Sequence, residues 1–119
     1  MSTSLLAFLT LLEKRTLPVL PTGRSWRFQR LVDFRAARAV LQLWEEPDGP
    51  ASAILTGQVD LRETRHEDGA PSFAGAVQST DGGSEMKNFS FHPRSEADVE
   101  HQATVVANLW GKAIGGNPQ

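Results

Sequence analysis

Between Ala53 and Arg62 the chain alternates strictly. Ala53, Leu55, Gly57, Val59 and Leu61 fall on one side, and Thr56, Gln58, Asp60 and Arg62 on the other. Successive side chains of a strand point to opposite faces, so this segment is expected to be an antiparallel strand with one face on a core and the other in water. The remaining sequence must supply both its neighbours and a cover for its apolar face.

Neighbours are available on either side. Trp26, Phe28, Val32 and Phe34 alternate with Arg27, Gln29 and Asp33, with Arg30 interrupting the apolar face. The run from Arg38 to Glu46 is rich in Val, Leu and Trp but alternates less cleanly. Ala36 and Ala37 are good helix formers, so strand and helical turn both stay open for 36–46. The stretch Glu45-Glu46-Pro47-Asp48-Gly49-Pro50 has strong turn chemistry. Asp68-Gly69 and Asp81-Gly82-Gly83-Ser84 mark two further turns. They bound short strands at Ser72–Ser79 and Met86–Phe91, the latter with Phe89 and Phe91 facing the same way. Such short connections favour a meander, because parallel neighbours need crossovers of a dozen residues or more.

Two helices are expected to provide the cover. Leu5, Phe8, Leu9 and Leu12 form an apolar stripe at helical spacing, with Ser2, Thr3 or Ser4 as cap. Leu6 and Leu11 widen that stripe, which points to packing on more than one side or against a second copy. Pro18 and Pro21 then prevent the helix from continuing. Near the other end, Ser95 and Asp98 resemble a capping box, and Glu96, Asp98 and Glu100 suit the positive end of a helix dipole. Val99, Ala103, Val106 and Trp110 form the buried stripe, with Gly115, Gly116 and Pro118 at the exit. The expected fold is α+β: a single domain over 1–119, with a four- to five-stranded, mostly antiparallel meander sheet packed by an N-terminal and a C-terminal helix.

Composition restricts the chemistry. The 119 residues include no cysteine, which removes disulfides, thiolate metal sites and cysteine nucleophiles and fits a reducing, cytoplasmic setting. The apolar run at 5–12 has no basic residue before it and Glu13-Lys14-Arg15 after it, unlike a secretory signal. It is also far shorter than the roughly 20 residues that span a bilayer, so no membrane partner is expected. His66, His92 and His101 share no metal-ligand spacing. The segment Glu63-x-x-His66-Glu67-Asp68 reads as a solvated turn, and His92 as a hydrogen-bonding residue near the start of the last helix. There is no Gly-x-Ser-x-Gly elbow and no phosphate-cradling glycine motif. No single carboxylate pair stands out from the many acids. No catalytic residue, metal or cofactor is therefore assigned.

Charge is distributed unevenly. Residues 1–44 hold seven basic and two acidic groups, a net of +5; the remainder hold five basic and twelve acidic, a net of −7, giving the overall −2. Arg24, Arg27, Arg30 and Arg35 interleave with Trp26, Phe28 and Phe34. Two readings compete: pairing of these arginines with acids on neighbouring strands, or an exposed surface for a partner. Trp44 reads either as an anchor at an interface, where tryptophan is enriched, or as an aromatic closing the end of the sheet. Arg24, Arg27, Arg30, Arg35 and Trp44 are thus the candidate binding residues. The leading expectation is a non-enzymatic interaction module that recognises a protein or self-associates. The alternatives are a single-stranded nucleic-acid binder on the basic, aromatic strand, and a small-molecule-binding protein or enzyme with a pocket between sheet and helix.

Overall fold

The structure, a computed structural model, describes residues 3–79 and 86–115. Helix α1 (Thr3–Thr16) leads through a 3-10 turn (Leu17–Val19) into five strands and a final helix. The strands are β1 (Trp26–Asp33), β2 (Arg38–Glu45), β3 (Ile54–Arg65), β4 (Pro71–Ser79) and β5 (Lys87–Phe91), and the final helix is α2 (Glu96–Ala113). The sheet order is β1-β2-β3-β4-β5 with every pair antiparallel. The protein is therefore an α+β fold, a five-stranded antiparallel meander packed by its N- and C-terminal helices. The expected Asp81–Ser84 connection, the caps Ser2, Thr3 and Ser4, and the exit residues Gly116 and Pro118 lie outside the described residues or side chains.

Both helices cover the same face of the sheet. Leu5, Phe8, Leu9 and Leu12 of α1 are fully buried. Phe8 stacks on Phe73 of β4 at 5.4 Å and approaches Phe91 of β5 at 5.3 Å. From α2, Ala103, Val106, Ala107 and Trp110 are buried against Leu41, Leu43, Val59, Leu61 and Val77 of the central strands. Burying one large apolar side chain is worth about 1.5–3 kcal/mol, and this cluster contains more than a dozen.

Two glycines permit the close approach of α2. A Cβ on Gly57 of β3 would lie 2.7 Å from the indole nitrogen of Trp110 and 2.9 Å from the Gln78 carbonyl oxygen. Only a residue without a side chain lets that ring lie against the sheet, beside Phe28 at 6.1 Å. On the helix itself, a Cβ on Gly111 would meet Val19 Cγ2 at 2.6 Å. The start of α2 is capped as its sequence predicts. The Asp98 amide donates to Ser95 Oγ, while Asp98 Oδ2 accepts from the Arg94 amide.

One open alternative is decided and two expectations need correction. Residues 38–45 are strand, and Ala36 and Ala37 sit in the β1–β2 turn, where Ala37 has φ of +50°. Cross-strand pairing of the Val- and Leu-rich run outweighs the helix preference of two alanines. Phe34 lies beyond the end of β1 in that same turn and is 57% exposed, so it is not part of the apolar face. The second correction arises from a bulge. Leu43 pairs with Gly57 but Trp44 pairs with Leu55, leaving Thr56 unmatched. Thr56 is consequently buried, and Leu55 shares the opposite face with Trp44. The alternation of this strand holds from Gly57 onward and reverses before it.

Replacing Gly57 with valine should destabilise the fold by about 3 kcal/mol, since overpacking here meets backbone as well as a ring. Ala37→Gly should stabilise it by up to about 1 kcal/mol by relieving the left-handed alanine. Urea unfolding followed by tryptophan fluorescence measures both.

Candidate functional site

The arginines of the first strand are positioned by the antiparallel register. Trp26 pairs with Glu45 and Arg27 with Trp44, so Arg24, just before β1, reaches Glu45. Its Nε and Nη2 donate to the two carboxylate oxygens at 2.8 and 2.5 Å. Arg27 Nε donates to Glu46 at 3.1 Å, and Arg30 Nε donates to Glu13 of α1 at 2.5 Å. Further along β2, Arg38 grips Asp60 with two hydrogen bonds of 3.1 and 2.8 Å. Arg35 differs: its backbone amide donates to Asp33, and among the described residues its guanidinium forms none of the ion pairs. Much of the charge imbalance between the chain's ends is therefore closed across neighbouring elements.

These pairs shift the ionisation of their members. The hydrogen bonds from Arg24 hold Glu45 below the usual carboxylate range, against an opposing effect of burial. Asp60, through its hydrogen bonds and then its charge, raises Arg38 further above an already high value. Solvent screening keeps the contribution of exposed pairs of this kind small.

The aromatic residues divide by face. Trp26 and Phe28 point to the helix side, and the Trp26 indole donates to the Pro21 carbonyl at 3.0 Å. Trp44 lies half-buried on the bare face. Its indole donates to Gln42 at 3.2 Å, and the Arg27 guanidinium lies 5.7 Å from its ring centre. Arg24 likewise lies 4.8 Å from the ring of Trp26. Of the five candidate residues, Arg27 and Trp44 are in mutual contact on the bare face, while Arg24 and Arg30 occupy the helix-side margin. Arg35 is isolated from them in the β1–β2 turn.

Register reveals a feature of the bare face that reading along the sequence does not. Gln29, Gln42, Gln58 and Gln78 are consecutive cross-strand partners over four strands. They form one uncharged row, with Leu31, Val40, Asp60 and Ala76 in the row beside it. A shallow depression of about 510 Å³ follows, floored by Ala74, Ala76, Asn88 and Ser90 and edged by Arg62.

The helix side carries a longer groove, open to solvent between α1 and α2. It begins as a depression of about 570 Å³ lined by Ala7, Thr10, Leu11, Phe73, Glu96 and Val99. It continues in another of about 430 Å³ lined by Lys14, Arg15, Pro18, Glu100, Thr104 and Asn108, with Leu11 and Glu100 shared. The two helices run in the same direction along it, so the groove is acidic at one end and basic at the other. Lys14, Arg15, Glu96 and Glu100 are exposed.

One polar cluster escaped the sequence reading. Ser72 Oγ at the start of β4 hydrogen-bonds His66 Nε2 from the β3–β4 turn at 2.5 Å, and also His92 Nδ1 from just beyond β5. The two rings lie 5.1 Å apart. His92 is thus bound to Ser72 rather than serving as a helix cap, and His101 is exposed on α2. His66 and His92 lie 26 positions apart in sequence; only the β4–β5 pairing, Phe73 with Phe91, brings them together. Among the described residues, no group of three or more His, Asp or Glu side chains is gathered for a metal. No described helix is long and apolar enough to cross a membrane.

No family model matches the chain, and neither does any curated protein or solved structure.

Because the folded-state pKa of Glu45 lies below that of the unfolded chain, its contribution to stability is complete above the usual carboxylate range. It disappears as pH falls through the folded value. Glu45→Gln should therefore lower stability at neutral pH by no more than about 1 kcal/mol. The difference from wild type should vanish in acid, as denaturant midpoints between about pH 3 and pH 7 would record.

Proposed function

We propose that this protein is a non-enzymatic interaction module that self-associates through the groove between α1 and α2. The observation that carries this reading is the opposed charge at the two ends of one partly apolar groove. A two-fold axis at the level of Leu11 would lay Lys14 and Arg15 of one copy against Glu96 of the other, and the reverse. Such an interface is self-complementary, which two-fold association requires.

Other physical terms point the same way. Leu11 and Val99 are half-buried at the groove's centre, where a second copy would finish their burial. Parallel helices within one copy become antiparallel across the axis, so their macrodipoles oppose favourably. Charge pairs at the rim would set register and partner choice more than affinity, leaving the apolar centre to supply the attraction.

Light scattering on the full chain should give a mass of twice 13.0 kDa. Charge reversal makes the test specific. Lys14→Glu with Arg15→Glu, and separately Glu96→Lys, should each shift the protein to monomer. Mixing the two variants should restore the dimer as a heterodimer, since every rim pair is then again opposite in sign. A wild type that stays monomeric at high concentration, or a dimer insensitive to both reversals, would remove this reading.

A further inference from the structure

We propose that the depression on the bare face between β3 and β5 binds a small organic carboxylate, held at one edge by Arg62 and at the other by Asn88 and Ser90. The ladder builds this hollow. Arg62 pairs with Ala74 and Ala74 with Ser90, while Asp60 pairs with Ala76 and Ala76 with Asn88. Two alanines of β4 therefore lie between longer polar side chains on both neighbouring strands. The volume, about 510 Å³, falls within the range of small-molecule sites.

Charge selects the ligand. Arg38 and Arg62 are direct ladder partners, a like-charge pair that is destabilising unless acids answer both. Asp60 answers only one of them: its two carboxylate oxygens accept from Arg38 at 3.1 and 2.8 Å. Asp33, on the far side of Arg38, accepts from the backbone amides of Arg35 and Ala36 in the β1–β2 turn. Among the described residues, the Arg62 guanidinium is thus left without an ion pair or hydrogen bond of its own. A carboxylate placed on it gains the paired, parallel N–H···O bonds that the planar guanidinium fork offers. A neutral ligand gains neither the pairing nor the charge.

The rest of the lining sets the size and shape of that ligand. Arg62 and Ser90 stand two strands apart, about 9.6 Å between Cα atoms at the usual strand spacing. One planar ring bridges the part of that gap which the guanidinium does not cover. Met86, 58% exposed, lines the same hollow beside Ala74 and Ala76, so the middle of the ligand is apolar. At the far edge the Asn88 amide and the Ser90 hydroxyl both donate and accept, which suits a hydroxyl opposite the carboxylate. A hydroxylated ring acid with one negative charge fits these terms, and para-hydroxybenzoate is its simplest probe. The site lies on the sheet face opposite α1 and α2, so it is present in monomer and dimer alike.

Sodium para-hydroxybenzoate titrated into the isotope-labelled full chain should move the amide resonances of Ala74, Ala76, Asn88 and Ser90, saturating at about 1 mM or below. The uncharged isostere para-hydroxybenzamide should bind about tenfold more weakly. Arg62→Gln should weaken the acid about tenfold and leave the amide unchanged. Ala76→Leu, which fills the hollow, should remove both. Acetate, with the charge but no ring, should need a concentration about tenfold higher. Equal potency of acetate would show an exposed arginine that takes any anion, and the proposal would fall. It falls equally if Arg62→Gln, shown to be folded by circular dichroism, binds the acid as tightly as the wild type. No movement of these resonances up to about 10 mM would also overturn it.

Discussion

The fold depends on one contact above the others, the seating of Trp110 on the bare backbone of Gly57. An antiparallel sheet with one apolar face is unstable until that face is covered, and α2 covers it only if its largest side chain can lie flat. Gly57 makes that possible, and Phe28 closes the ring from the first strand. Gly111, one residue after the tryptophan, brings the helix equally close to Val19. On the other side Phe8 fixes α1 against the paired Phe73 and Phe91. Two aromatic anchors thus hold two helices to one face and leave the opposite face bare.

The fold was legible in the sequence wherever a periodic pattern coincided with burial on one side. The stripes Leu5-Phe8-Leu9-Leu12 and Ala103-Val106-Trp110 identify their helices, and the alternation from Gly57 to Leu61 identifies the central strand. The pattern failed where geometry departs from a regular repeat. Thr56 is buried and Leu55 faces outward because a bulge inserts one residue into the pairing, and no local signal distinguishes that from continued alternation. Phe34 continues the spacing of β1 but stands past its last pair, since it is the first residue of the turn that spans 34–37.

Site-level features were harder to see, because they depend on register between segments distant in sequence. The arginines of residues 24–30 were visible as a basic run, but their partners Glu45, Glu46 and Glu13 follow from strand pairing and helix docking. The glutamine row is invisible along the chain, where its members are separated by 13, 16 and 20 positions. The His66–Ser72–His92 cluster is similar: taken alone, His66 reads as part of a turn, Ser72 as the start of a strand and His92 as a residue near the last helix. A sequence shows which groups are available, and the ladder decides which of them meet.

The number of strands has a consequence of its own. In a meander each strand reverses the one before, so the first and last point the same way only when the count is odd. With five strands, and a reversal at each helix junction, α1 and α2 must lie parallel. A version of this protein with one hairpin arm lost would turn α2 end for end, bringing its acidic first turn beside the basic last turn of α1. Those charges would then cancel inside a single molecule, with no charge gradient left along the groove. The charge gradient along that groove is thus tied, through parity, to how many times the chain crosses its own sheet.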